Sequence, residues 1–175
     1  VNKSRKKAVF LAVLLIAASW SLISCERTTD AVGSSDKASD FTLKDAQGEN
    51  YNFHDNSSGK VVILNFWAVR CPACKVEIPN LVELYDEYRD SGLEVIGIDV
   101  DGSGVSAMKG AASRYDINYP LLTGSSSELG KIVASYGGFR YIPTTYIIDR
   151  EGAVVDKVSG PRGKAYFEAA VKKLL

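Results

Sequence analysis

A chain of 175 residues that is 46% apolar and 24% charged has the make-up of one globular domain with a short appendage. Its 21 basic and 21 acidic residues cancel formally, yet Lys3, Arg5, Lys6 and Lys7 crowd the N-terminus and no acid precedes Glu26. Without residues 1–24 the body keeps 17 basic and 21 acidic residues, a charge of −4, which gives no ground for nucleic-acid binding.

The basic cluster is followed by the unbroken apolar run AVFLAVLLIAA, residues 8–18, and then by small residues, which is the order of an export signal. Leu22-Ile23-Ser24-Cys25 resembles the bacterial lipobox, where cleavage precedes a lipidated cysteine. Residues 1–24 are therefore expected to form a lipoprotein signal peptide, with Cys25 lipidated. The stretch from Ala8 to Ser24, with three serines near its end, falls short of the roughly 20 apolar residues that a membrane span needs. An uncleaved anchor and a simply secreted protein are the other two readings, and all three place the body outside the cytoplasm. Residues 26–39, ERTTDAVGSSDKAS, carry almost no large apolar group, so residues 25–39 read as a lipidated cysteine and flexible tether.

The domain is expected over residues 40–175. DFTLKDAQGENYNF alternates apolar and polar residues around Gln47-Gly48 and predicts a β-hairpin. KVVILNFWA, ending at Ala68, predicts a buried central strand. Ile78, Leu81, Val82, Tyr85 and Tyr88 follow at helical spacing, with Gly92 as the C-terminal cap. LEVIGIDV, residues 93–100, is a second buried strand, and Val105, Met108, Ala112 and Tyr115 fit a helix with Ser103 as its N-cap. YPLL is a short extended piece. Leu129, Ile132, Val133 and Tyr136 mark a helix stopped by Gly137-Gly138. TTYIID and AVVDKV flank a turn at 150–152, and Phe167, Ala170, Val171 and Leu174 close the chain on an amphipathic helix. Strands alternating with helices, then a terminal hairpin, predict an α/β three-layer sandwich with a mixed central sheet and an N-terminal β-hairpin.

The chemistry concentrates in FWAVRCPACKVEIP, residues 66–79. If Cys25 carries lipid, Cys71 and Cys74 are the remaining thiols, and a pair two residues apart cannot staple distant parts of a fold. A zinc site would need two further ligands, and His54, in a polar loop, is the single histidine, so no metal and no cofactor is expected. Cys71 falls at the first turn of a helix, where unpaired amides favour a thiolate by up to about 2 kcal/mol, or roughly 1.5 pKa units. Pro72 suits that helix start. Cys71 is then the nucleophile and Cys74 the resolving thiol, and the two close into a Cys71–Cys74 disulfide: a dithiol redox switch.

Residues 40–175 resemble the thioredoxin-like superfamily, and within it the membrane-anchored TlpA/ResA-type thiol:disulfide oxidoreductases of bacteria. The pieces that carry the likeness are DFTLKDAQG, GKVVILNFWA, CPACKVEIP, YIPTTYIIDREG and the final helix. The resemblance implies a cis-proline loop at Pro143, with Ile142 offering its backbone to a substrate peptide. It implies a helix kink at Pro79, an aromatic packed under the site at Trp67 that counts with Arg70, Ile142 and Pro143 among the substrate-binding residues, and a proton acceptor for Cys74 at Glu77. Asn65 stands where cytoplasmic thioredoxins carry a buried aspartate, which gives Glu77 more weight. Arg70 departs from the family, which usually has a second tryptophan there, and is expected to act on partner choice more than on thiol acidity. Ala73, in place of the histidine found in strong oxidants, tilts the expected direction towards reduction of protein disulfides.

The implied partners are protein disulfide or dithiol clients, apocytochrome c among them, and a membrane thiol electron donor. The chain is expected to be anchored by lipid, monomeric and without nucleic acid. Two other functions compete. A peroxiredoxin-like peroxidase would need threonine and proline where Ala68 and Leu64 stand. A non-catalytic binding lipoprotein would tolerate loss of Cys71.

Overall fold

The structure, a computed structural model, describes residues 37–175. The expected signal peptide, the expected lipidation at Cys25 and the expected tether up to residue 36 lie outside the described residues. Seven strands and five helices alternate: β1 Thr42–Asp45, β2 Asn50–Asn52, α1 Phe53–Ser57, β3 Val61–Trp67, α2 Pro72–Tyr88, β4 Leu93–Asp99, α3 Val105–Arg114, β5 Leu121–Thr123, α4 Ser126–Ser135, β6 Thr144–Ile148, β7 Val154–Ser159 and α5 Lys164–Val171. The sheet order is β2-β1-β5-β4-β3-β6-β7. β3, β4 and β5 run parallel, while β6 and β1 each pair antiparallel to that centre, so the sheet is mixed.

β3 holds the middle. All seven of its residues are buried, because helices cover both faces of the sheet and its period-2 alternation sends side chains into two separate cores. Val61, Ile63 and Trp67 join Ile78, Leu81 and Leu84 of α2, Met108 and Ala111 of α3, and Phe167 and Val171 of α5. Val62, Leu64 and Phe66 face the other way, onto Leu129 and Ile132 of α4 and Phe53 of α1. Each large apolar side chain buried in this way stabilises the fold by about 1.5–3 kcal/mol. The result is the three-layer sandwich expected from the strand and helix order.

Several local expectations need correction. Residues 37–39, expected in the tether, are held by the domain: Lys37 bridges to Ala153, Ala38 N–H donates to the Gly152 carbonyl at 2.8 Å, and the Ser39 carbonyl accepts from the Tyr136 hydroxyl at 3.0 Å. The end of the expected tether is therefore fastened to the domain by backbone groups that its polar composition does not reveal. His54 is exposed as expected, but it sits in the short helix α1, capped by Asn52, whose side chain accepts from Asp55 N–H. Ser103 does not cap α3. Gly104 occupies the N-cap, and Ser103 instead gives its N–H to the buried Asp99 carboxylate at 2.6 Å. A carboxylate with no exposure must collect donors, and that demand outweighs the local capping preference. On α3 the expected Met108 is buried and Ala112 and Tyr115 pack against the same core, while Ala111 is the further fully buried residue of that face. Among the described residues no helix is long and apolar enough to cross a membrane.

Candidate active site

The turn from β3 into α2 fixes the first cysteine. Cys71 N–H donates to the Ala68 carbonyl at 3.0 Å, closing a four-residue turn with Val69 and Arg70 at its corner. Cys71 is the N-cap of α2 and Pro72 its first residue. The Cys71 sulfur accepts the Cys74 backbone N–H at 3.1 Å, the contact by which an N-cap side chain satisfies a helix-start amide. In the reduced protein that amide and the helix dipole favour the thiolate. Cys71 and Cys74 form a disulfide; Cys71 is half-buried and Cys74 is 1% exposed. An attacking group can reach the first sulfur and not the second.

The loop before β6 brings the other wall. The Ile142–Pro143 peptide is cis, and the Ile142 carbonyl oxygen lies 3.8 Å from the Cys71 sulfur although the two residues are 71 positions apart. Thr144 Oγ1 donates to the Tyr141 carbonyl at 2.7 Å and Gly160 N–H to the Pro143 carbonyl at 2.8 Å, which fixes the loop from both sides. Neither the N–H nor the carbonyl of Ile142 makes a backbone hydrogen bond among the described residues. Tyr141 beside it is 71% exposed.

Beneath the disulfide lies a small polar island. Glu77, three residues beyond Cys74, shares the inward face of α2 and is 1% exposed. Asn65, on the α2-facing side of β3, donates to Glu77 Oε2 at 3.2 Å and to Thr145 Oγ1 at 2.8 Å. Glu77 Oε1 is buried without a hydrogen-bond partner among the described residues. Burial pushes the Glu77 carboxyl up to about 7, against the pull of Arg162 and the Asn65 amide. An acid held there exchanges its proton near neutral pH, the condition a general base or acid needs.

The structure thus brings together Cys71, Cys74, Ile142 and Pro143, and stacks Glu77 below them. Trp67 needs a correction as a substrate contact. At 1% exposure it offers a client no surface, and it packs under the site with its Nε1 unpartnered among the described residues. Arg70 is exposed at the turn corner. Pro79 lies inside α2 and, having no N–H, leaves the Lys75 carbonyl without its helical donor. Thr145 was not legible as a site residue: a threonine in an apolar strand carries no signal until its partner 80 positions away is placed opposite it. Among the described residues no group of three or more His, Cys, Asp or Glu side chains comes together to hold a metal.

The comparisons agree with this geometry. The AhpC/TSA family model matches residues 34–157. The thiol-disulfide oxidoreductase ResA of Bacillus thuringiensis subsp. konkukian is 33% identical over 138 residues, covering 79% of this chain and 76% of that protein. The chain belongs to the AhpC/TSA family. Its ResA-type relatives extend to Geobacillus kaustophilus, whose thiol-disulfide oxidoreductase ResA is 30% identical over 171 residues, 96% of this chain and 94% of that one. Among solved structures, a thioredoxin-family thiol:disulfide interchange protein from Chlorobium tepidum superposes with a TM-score of 0.72 at 31% identity, covering 81% of this chain and 97% of that one. This ResA-type member of the family is a thiol-disulfide oxidoreductase with a thioredoxin fold.

Proposed function

We propose that the protein is a membrane-tethered reductant of protein disulfides outside the cytoplasm, working through Cys71 and Cys74. The observation that carries the dithiol chemistry is the asymmetry of the pair, a reachable sulfur on a helix N-cap backed by a sealed sulfur above a buried acid, and Ala73 between the cysteines supports the reducing direction. In the reduced enzyme the Cys71 thiolate attacks one sulfur of a client disulfide, forming a mixed disulfide and releasing the client's other thiolate. Cys74 then gives its proton to Glu77 and attacks the Cys71 sulfur. The Cys71–Cys74 bond forms, the mixed bond breaks, and the client leaves as a dithiol with two electrons gained. The unpaired backbone of Ile142 supports a client bound in extended form beside Cys71, since it can pair with a peptide strand.

An external dithiol must return the two electrons, and a membrane thiol protein fits a chain held at the membrane through Cys25. The export-type N-terminus and the lipobox-like residues support lipid anchoring and an extracytoplasmic enzyme. The family resemblance points to apocytochrome c cysteines as one client class. Thiol trapping of the Cys71–Cys74 couple against glutathione and dithiothreitol buffers tests the direction. A midpoint well below the roughly −180 mV of disulfide isomerases supports a reductant, and one near the −120 mV of strong oxidants overturns it. The Cys74→Ser variant is expected to accumulate mixed disulfides with clients, and peroxide consumption by the reduced wild type would point to a peroxidase instead.

A further inference from the structure

A cavity of about 440 Å³ lies between the start of α2 and the exposed side of α3. Arg70, Lys75, Arg114 and Tyr115 line it, over a floor that includes Ala107 and Gly110, and no carboxylate is among its lining residues. Arg70 directly precedes Cys71 and Lys75 directly follows Cys74, so two of the cavity's cations are chain neighbours of the redox pair. Among the described residues none of the three cations has a carboxylate within 4.0 Å, as holds for most of the basic residues described, so all three are available to an anion. Lys75 Nζ lies 5.7 Å from the Tyr115 ring centroid, which ties the two walls together. Gly110 keeps the floor open: a Cβ there would meet nothing within 4 Å. A glycine in this exposed helix interior disfavours the helix by about fivefold relative to alanine, with no packing contact in return. Asp101 borders the neighbouring depression of about 420 Å³ that Arg70 also lines.

We infer that this groove binds an acidic segment of the client protein, flanking the cysteine that Cys71 attacks. The inference rests on the reading of Cys71 as a nucleophile towards protein disulfides. A body of charge −4 repels acidic partners at long range, so three uncommitted cations gathered beside the nucleophile set a local preference of opposite sign. Two of them are arginines, whose planar forks match carboxylates bidentately. Three exposed pairs, each contributing modestly, together favour an acidic flank by on the order of tenfold, mainly through association rate. A peptide fits better than a small anion because the cations line a cavity of about 440 Å³ between two helices rather than closing around a point.

The test uses the full chain and two disulfide-bonded peptides that differ only in three glutamates or three glutamines after the cysteine. At low ionic strength kcat/KM is expected to be about tenfold higher for the glutamate peptide, with the ratio falling towards one near 0.5 M salt. Arg114→Gln should cut the ratio to about threefold, Arg114→Lys should restore most of it, and Gly110→Leu should lower it by filling the groove without changing charge. A wild-type ratio near one, or a ratio unmoved by both Arg114→Gln and Gly110→Leu, overturns the inference. Free succinate that competes as well as a cysteine-free triglutamate peptide would mark a small-anion site and likewise overturns it. Reduction of neither peptide would instead count against the oxidoreductase reading, so the two failures are distinct.

Discussion

Glu77 offers the sharpest test of the buried site. In the folded chain its carboxyl holds a proton to about pH 7, while an unfolded chain releases it near 4.5. Between those values the folded state binds the extra proton, so stability is greatest below pH 4.5 and falls as pH rises to 7, with no further loss from this group above it. At about 1.4 kcal/mol per pH unit the full span is on the order of 3 kcal/mol. Glu77→Gln keeps the volume and can still accept from the Asn65 amide, but it cannot ionise. Urea unfolding with the disulfide intact, from pH 4.5 to 8, should therefore show the variant gaining about 3 kcal/mol on the wild type across the range. The same variant should resolve mixed disulfides about 100-fold more slowly at pH 7, since Cys74 loses its proton acceptor. A stability difference that stays constant with pH would refute the buried-acid reasoning. An unchanged resolution rate would separate the acid's burial from any part in catalysis.

Asn65→Leu leaves Glu77 without the donor now 3.2 Å from Oε2, and its titration, followed by NMR of the carboxyl carbon, should move above 7. Gly97→Ala in β4 would place a Cβ 2.8 Å from Leu121 Cδ2 and 3.1 Å from Trp67 Nε1; the expected cost is about 1–3 kcal/mol in urea unfolding, with a changed Trp67 fluorescence. Arg70→Trp should move the Cys71 thiol acidity by a few tenths of a unit in an alkylation-rate titration, because the arginine is exposed. Client selectivity should change more; a rise above about one unit with unchanged client kinetics would refute that expectation.

Much of the fold could be read from local pattern, because strands and helices announce themselves by period. The all-apolar run at 61–67, the hairpin at Gln47-Gly48 and the glycine pair after Tyr136 each required only neighbouring residues. The placement of Cys71 was equally local: a strand ending, a cysteine and then a proline set the sulfur on a helix N-cap whatever the rest of the chain does. What needed the tertiary structure was every contact between elements distant in sequence. The approach of Ile142 to the Cys71 sulfur, the Asn65 bridge from Thr145 to Glu77, and the sealing of Trp67 all depend on which strand lies beside which. Ser103 shows the reason most directly. Its capping propensity is a property of a few residues, but Asp99 is buried by the whole sandwich, and a desolvated carboxylate commands donors more strongly than a helix end exposed to water.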